Sequence, residues 1–401
     1  MAALMETILQ SSAFWWAAGL AFLAVSCVTW GPAALAAAVN RARTRGAGPV
    51  RPETRALHQR IVVADLHCDS LLWRREVLRR KYRGHADVPR LIEGGVALQV
   101  FYAVTRVPPL ANFDATVNVF DALVPLFLCQ RRPPATWFSP RQRALHLAER
   151  LRGNAAASGG RLRLITGRDS LERHLAAREH KPACVGGLLG LEGLQCLGND
   201  LAAVTQMFNA GYRLFGPAHF FDTAVGGSAH GLRKRGLTDF GREVVREIER
   251  LGGIIDLAHA APALIDDVLD FAERPPLVSH TGLRGACATG RNLEDAQARR
   301  IAACGGLVGI GFWKDVLGAG TLDGLVAMLR YAVDTLGVDH VALGSDFDGG
   351  TVPPFDAAGL PRLTEALLDA GFAEPEVAAI MGGNVVRFFA RWLPATAPPA
   401  S

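Results

Sequence analysis

The chain has 401 residues, 50% of them apolar and 20% charged, which is enough apolar side chain for a large core and too little charge for a disordered polymer. Lys and Arg number 43 against 38 Asp and Glu, a net charge of +5 at pH 7, and the seven cysteines are scattered without a CxxC pair. These counts exclude a disulfide framework and a cysteine-based zinc site, and the basic clusters lack the aromatic interleaving or recognisable module of a nucleic-acid partner.

The first element is an uncharged run from Ser11 to Val39. Its stretch 13–38 exceeds the roughly 20 residues a helix needs to cross a bilayer. Trp15, Trp16 and Trp30 sit where interfacial aromatics belong, and Arg41, Arg43 and Arg45 close the segment. The sequence therefore predicts an N-terminal transmembrane helix within residues 1–45, a single-pass anchor with membrane lipid as its partner. Anionic lipid suits the arginine flank. A cleaved signal peptide is the competing reading, because Ala36, Ala37 and Ala38 offer a small-residue cleavage site; Glu6, with no Lys or Arg in the first ten residues, weighs against it. The positive-inside rule would place the arginine flank in the cytoplasm, yet so few arginines leave the side of the membrane open.

A Gly/Pro/Arg stretch suggests a linker over 46–60, a main domain over 61–393 and a frayed Pro/Ala tail over 394–401. Within the domain, short apolar runs alternate with helix-like stretches such as 240–251 and 322–336. Eight runs read as buried strands: 61–67, 96–104, 185–192, 212–219, 253–259, 276–280, 306–312 and 340–346. Eight is the count of an α/β (β/α)8 TIM-like barrel. A ninth candidate at 162–165 reads as an extra edge strand.

Six of these runs end on chemistry-bearing residues, His67, Glu192, His219, His259, His280 and Asp346. In a barrel all six fall at the C-terminal mouth. One buried histidine is more often a satisfied core group than a ligand, and a lone strand-end Asp is often a cap. Packing gives no reason to repeat such endings six times. His67 and Asp69, two apart on an extended chain, can reach one divalent ion such as zinc. His259 and His280 would supply a second imidazole pair, and Glu192 can bridge two ions through its two oxygens. The implied chemistry is hydrolysis. Asp346 is the candidate to take the proton of the attacking water and return it to the leaving amine, with Asp348 as its rival. His219 is a candidate donor to the developing oxyanion. Arg291, in the loop after His280, can hold a substrate carboxylate, although a surface arginine opening a helix would look the same in sequence.

Several motifs occur together and in order: Asp65-Leu66-His67-Cys68-Asp69, His85-Ala86-Asp87-Val88-Pro89-Arg90-Leu91, Leu191-Glu192-Gly193, Asp256-Leu257-Ala258-His259, Val278-Ser279-His280, Arg291-Asn292, Gly344-Ser345-Asp346-Phe347-Asp348-Gly349 and Gly383-Asn384. On these the chain resembles the membrane dipeptidase (renal dipeptidase) family of two-zinc metallopeptidases, from about 61 to 389. The resemblance implies a distorted TIM barrel with two Zn2+ per chain, His67 and Asp69 on one, His259 and His280 on the other, and Glu192 bridging. It also implies His219 at the scissile carbonyl, Arg291 on the substrate carboxylate and Asp346 at the catalytic water. The implied substrate is a dipeptide, with tolerance of a D-residue at its second position, β-lactam opening in some members and a homodimer in many.

The chain departs from that pattern in places. Leu66 and Cys68 stand where the first motif usually has Gly and Asn, and 313–316 lacks the tyrosine-bearing animal pattern, so side-chain specificity does not carry over. Two other readings stay open. One is a two-metal amidohydrolase acting on N-acyl amino acids or a peptide product; the other is a membrane-tethered, non-catalytic barrel, against which the full ligand set argues.

Overall fold

Strands built from Val, Leu, Ile and Gly on both faces must be covered on both sides, and this requirement organises the domain. The computed structural model describes residues 31–46, 48–110, 112–117 and 120–395. Its strands are β1 (Val63–Cys68), β2 (Val96–Val104), β3 (Leu162–Leu164), β4 (Val185–Glu192), β5 (Tyr212–Gly216), β6 (Ile254–Ile255), β7 (Leu277–Thr281), β8 (Leu307–Ile310) and β9 (Val341–Leu343). They pair in the order β6-β5-β4-β2-β1-β9-β8-β7, with every ladder parallel. Asp256, one residue past β6, bridges Leu277 of β7 and closes the ring. Eight strands form the ring, and β3 pairs only with the N-terminal half of β4, which explains the ninth run.

Alternation along the strands divides the core in two. One set of side chains, including Leu66, Leu98, Val100, Leu188 and Leu214, packs with Phe388 and Phe389 of helix Asn384–Trp392. The other set, including Val63, Phe101, Leu189 and Phe215, packs on the surrounding helices. Each fully buried side chain of this size contributes roughly 1.5–3 kcal/mol. Helix Asp239–Leu251 shows how local sequence sets these covers: the Thr238 side chain accepts from Gly241 N, Val244, Val245 and Ile248 form the buried stripe, and Gly252 ends it at φ 83°.

Two motifs of the sequence serve the frame. A Cβ at Gly382 would lie 2.5 Å from Val62 O, so only glycine lets this turn approach β1, and Asn384 Nδ2 donates to Val338 O and Val341 O, both at 2.7 Å. The Asp348 carboxylate accepts from Ser70 Oγ at 2.6 Å, His85 N at 2.7 Å and Ala86 N at 3.2 Å, and pairs with Arg75. Burial opposes its charge, but Arg75 and His85 hold its carboxyl below the ordinary 3.8. Asp348 thus ties the loop after β9 to two segments after β1. We expect Asp348→Ala to lower unfolding free energy by about 3–5 kcal/mol, because it removes the nearer carboxylate from Arg75 and leaves the buried Ser70, His85 and Ala86 donors without their acceptor; urea unfolding checks this. Because the folded carboxyl titrates lower than the unfolded one, its contribution is present above about pH 4 and fades as pH falls further.

The N-terminal expectations fare differently. Most of the uncharged run, through residue 30, lies outside the described residues; 31–39 is helical, and Ala36 and Val39 pack beside Leu72, Trp73 and Phe127. Among the described residues, no helix is long and apolar enough to cross a membrane. The linker reading of 46–60 needs correction, since Pro52–Arg60 is a helix with Leu57 buried and His58 placed 2.7 Å from Thr364 Oγ1. A proline at its start and the buried face of Thr54, Leu57 and His58 make it a helix of the domain. In the tail, Pro394 O accepts from Arg168 N at 2.8 Å, and 396–401 lie outside the described residues.

Candidate active site

The C-terminal ends of the strands carry the site. His67 lies in β1 with Asp69 just beyond it, Glu192 ends β4, His280 lies in β7, and His219, His259 and Asp346 stand a few residues past β5, β6 and β9. All seven are buried. His259 and Asp346 adopt left-handed backbone conformations, φ 62° and 56°, which cost an L-residue roughly 1–2 kcal/mol. Such conformations turn both side chains from the strand direction into the mouth.

Glu192 is the centre of the arrangement. Its Oε1 lies 3.1 Å from His259 Nε2 and 3.3 Å from His280 Nε2, which are themselves 3.0 Å apart. Its Oε2 faces the other way, 3.8 Å from His67 Nε2. Asp69 Oδ2 and Asp346 Oδ1 lie 3.7 and 4.0 Å from that same His67 nitrogen. His219 Nε2 is 3.7 Å from Glu192 Oε1, so the structure brings it within the possible ligand groups as well as near the substrate side.

The donor set fits divalent metal ions on physical grounds. Among the described residues, His67 Nε2 and Asp69 Oδ1 are buried without a hydrogen-bond partner. Burial pushes the Glu192 carboxyl well above its ordinary range and Asp346 up to about 8, and in both cases Asp69 adds to the rise. Burial also works against a charged His67, but Glu192 and Asp69 outweigh it and hold that imidazole up at about 10. A pocket that draws a proton onto its acids and its imidazole is short of positive charge. Burial keeps His259 and His280 neutral, which leaves ring lone pairs free for coordination.

A supporting layer that sequence reasoning missed orients these groups. Ser279 Oγ lies 3.1 Å from His67 Nδ1 and 2.9 Å from His280 Nδ1, so one hydroxyl touches the outer nitrogens of two candidate ligands. Asp256 Oδ1 accepts from Ser279 N at 2.8 Å, and its Oδ2 accepts from Tyr102 OH at 2.6 Å. His230 Nε2 lies 2.9 Å from His259 Nδ1 and is held in turn by Phe113 O. Asp65 accepts from Ser345 N and Oγ, both at 2.7 Å, anchoring the turn that carries Asp346. Contacts of this kind fix the tautomer and direction of ligand side chains. Asp65, Asp256 and Ser279 were visible as polar residues inside apolar runs; His230 sits in irregular chain and gave no signal.

Arg291 is buried in the mouth rather than exposed. Its Nη2 donates to His280 O at 2.8 Å, its guanidinium lies 5.3 Å from the Trp313 ring centre, and Nε has no partner among the described residues. Asp348 points away into its own network and does not join the cluster. Cys68 is fully buried and burial pushes its thiol up, so it is a packing residue and not a reactive thiolate. Gly349 leaves room at the site, where an added methyl would collide with Asp346 Oδ1.

The family model described as Membrane dipeptidase (Peptidase family M19) matches residues 51–393. An uncharacterized protein from the pqqA 5′ region of Klebsiella pneumoniae is 35% identical over 248 residues, covering 58% of this chain and 89% of that protein. An uncharacterized dipeptidase of Schizosaccharomyces pombe is 31% identical over 216 residues, and there the match spans 51% of this chain and 52% of the relative. Among solved structures, a metallo peptidase from Rhodobacter sphaeroides, liganded with a phosphinate mimic of the dipeptide L-Ala-D-Ala, is 27% identical with a TM-score of 0.69, covering 83% of this chain and 99% of its own.

Proposed function

Because the chain belongs to the membrane dipeptidase family, a family of metal-dependent dipeptidases, we propose that it is a two-zinc dipeptidase that hydrolyses the single peptide bond of dipeptides and accepts a D-residue at the C-terminal position. The observation that carries the reading is the Glu192 carboxylate, whose Oε1 faces His259 and His280 while Oε2 faces His67. His67, Asp69 and Glu192 would hold one ion, and Glu192, His259 and His280 the other. A zinc pair there supplies Lewis acidity toward a carbonyl and an acidified water. The phosphinate of L-Ala-D-Ala bound by the Rhodobacter sphaeroides relative supports the stereochemical part. The uncharged residues 11–30, ahead of the helix that packs Ala36 and Val39 on the domain, support an N-terminal membrane anchor.

The remaining chemistry belongs to side chains. Asp346 receives the proton of the attacking water on a carboxylate oxygen and passes it to the departing amine. His219, kept neutral by burial, presents one N–H toward the substrate carbonyl oxygen. Arg291 binds the free C-terminal carboxylate, with its guanidinium beside the Trp313 ring and held to His280 O. Burial of the whole cluster excludes bulk water, which strengthens each of these contacts.

A panel of L-L and L-D dipeptides given to the purified full chain tests the proposal: turnover of L-D dipeptides is the expected result, and cleavage of N-acyl amino acids with none of free dipeptides would overturn it. In the same assay, Arg291→Ala should raise KM for dipeptides with a free carboxylate by about 10- to 100-fold. C-terminally amidated dipeptides should be affected far less, and an equal loss for both would remove Arg291 from the substrate site.

A further inference from the structure

Two basic clusters that are separate in sequence, at 41–45 and 74–83, meet in the fold, where Arg45 donates to Tyr82 O at 2.7 Å. Beside this junction lies a cavity of about 450 Å³ between the helical segment 31–39 and the loop that follows Trp73. That size falls within the roughly 300–1,000 Å³ of small-molecule pockets. Pro32, Ala33, Ala36 and Trp73 give it apolar walls, Arg74, Lys81 and Arg83 stand among its lining, and no acidic residue among the described ones lines it.

The charges of the loop are sorted in a telling way. Glu76 pairs with Arg79 at 3.1 Å, Glu93 pairs with Arg80, and Arg75 pairs with Asp348. Among the described residues, Arg74, Lys81 and Arg83 have no carboxylate within pairing distance, and all three are exposed. An apolar cavity under three unneutralised cations matches an anionic amphiphile. The wall formed by Pro32, Ala33 and Ala36 is also the end of the uncharged run 11–39, which places the cavity where apolar sequence joins the domain.

The geometry points to a binding site for one anionic phospholipid, its acyl chain against Pro32, Ala33, Ala36 and Trp73 and its phosphate on Arg74, Lys81 and Arg83. This goes beyond the dipeptidase reading and does not depend on it. Three cations near an anionic headgroup favour it over a zwitterionic one, each by roughly fivefold.

Native mass spectrometry of the full chain, released from detergent after incubation with phosphatidylglycerol or phosphatidylcholine, tests the site. The wild type should retain one phosphatidylglycerol per chain, in at least about tenfold preference over phosphatidylcholine. The triple variant Arg74→Ser, Lys81→Ser, Arg83→Ser should lose that preference, and Ala36→Trp, which fills the cavity without changing charge, should lose the retained lipid. None of these residues touches the catalytic cluster, so unchanged dipeptide turnover reports an intact fold, and where Ala36→Trp fails to fold, Ala33→Trp provides the same filling from the exposed end of the wall. Equal retention of the two lipids by the wild type, a preference unchanged in the triple variant, or displacement of the lipid by millimolar inorganic phosphate alone would overturn the assignment, the last by showing a phosphate site without a lipid chain.

Discussion

Glu192→Gln is expected to reduce dipeptide turnover by about a thousandfold or more and to lower the bound metal below two ions per chain. The substitution keeps the shape of the side chain but removes the charge that lies between two imidazole sets, 3.1 Å from His259 Nε2 on one side and 3.8 Å from His67 Nε2 on the other. Losing one negative charge beside two divalent ions is worth several kcal/mol even at the effective dielectric of a buried site, and each 1.4 kcal/mol or so is a factor of ten in rate. An amide also presents its NH2 to one of the two sides, where a donor meets a cation. Because burial holds the Glu192 carboxyl well above its ordinary range without metal, the metal-free variant should fold as well as the metal-free parent. Metal analysis, thermal melting and kcat/KM together check the prediction, and normal turnover with two ions bound would remove Glu192 from the bridge.

Asp346→Asn is the second large effect, and its signature differs. It should lower kcat by about 100- to 10,000-fold, the usual worth of a positioned general base, while metal content and KM stay close to those of the parent. Asparagine tolerates the left-handed backbone that Asp346 adopts at φ 56°, so the turn itself should survive. The hydrogen bonds that anchor this turn come from Ser345 to Asp65 and do not involve the Asp346 side chain. A loss of metal in parallel with kcat would instead make Asp346 a ligand, a reading its 4.0 Å distance to His67 Nε2 leaves physically accessible. The kcat-against-metal split therefore separates the two roles in one experiment.

The barrel was legible because a strand covered on both faces must be apolar throughout, and such runs stand out between amphipathic helices. Runs 96–104 and 185–192 coincide with β2 and β4 residue for residue. Shorter strands were less so: β6 and β9 contain two and three residues, because the chain leaves regular pairing early to turn His259 and Asp346 into the mouth. The cluster was legible for a related reason, since a polar residue that ends a buried run has few purposes in a core. What could not be read was pairing across the barrel. Nothing in the order of residues says that Ser279 touches both His67 and His280, or that His230 stands behind His259. Asp348 illustrates the same limit, because a carboxylate two residues from Asp346 looks like a rival base until its bonds to Ser70, His85 and Arg75 are seen. Helix Pro52–Arg60 was hidden by the Gly/Pro/Arg composition around it.

The proposed activity rests on two ions shared by one carboxylate. Anomalous diffraction at the zinc edge, on crystals of the full chain purified without chelator, tests this most directly. Two peaks are predicted, one within about 2.2 Å of Glu192 Oε2, His67 and Asp69 and one at the same range from Glu192 Oε1, His259 and His280. A single peak, or none with Glu192 bonded only to its histidine neighbours, would contradict it.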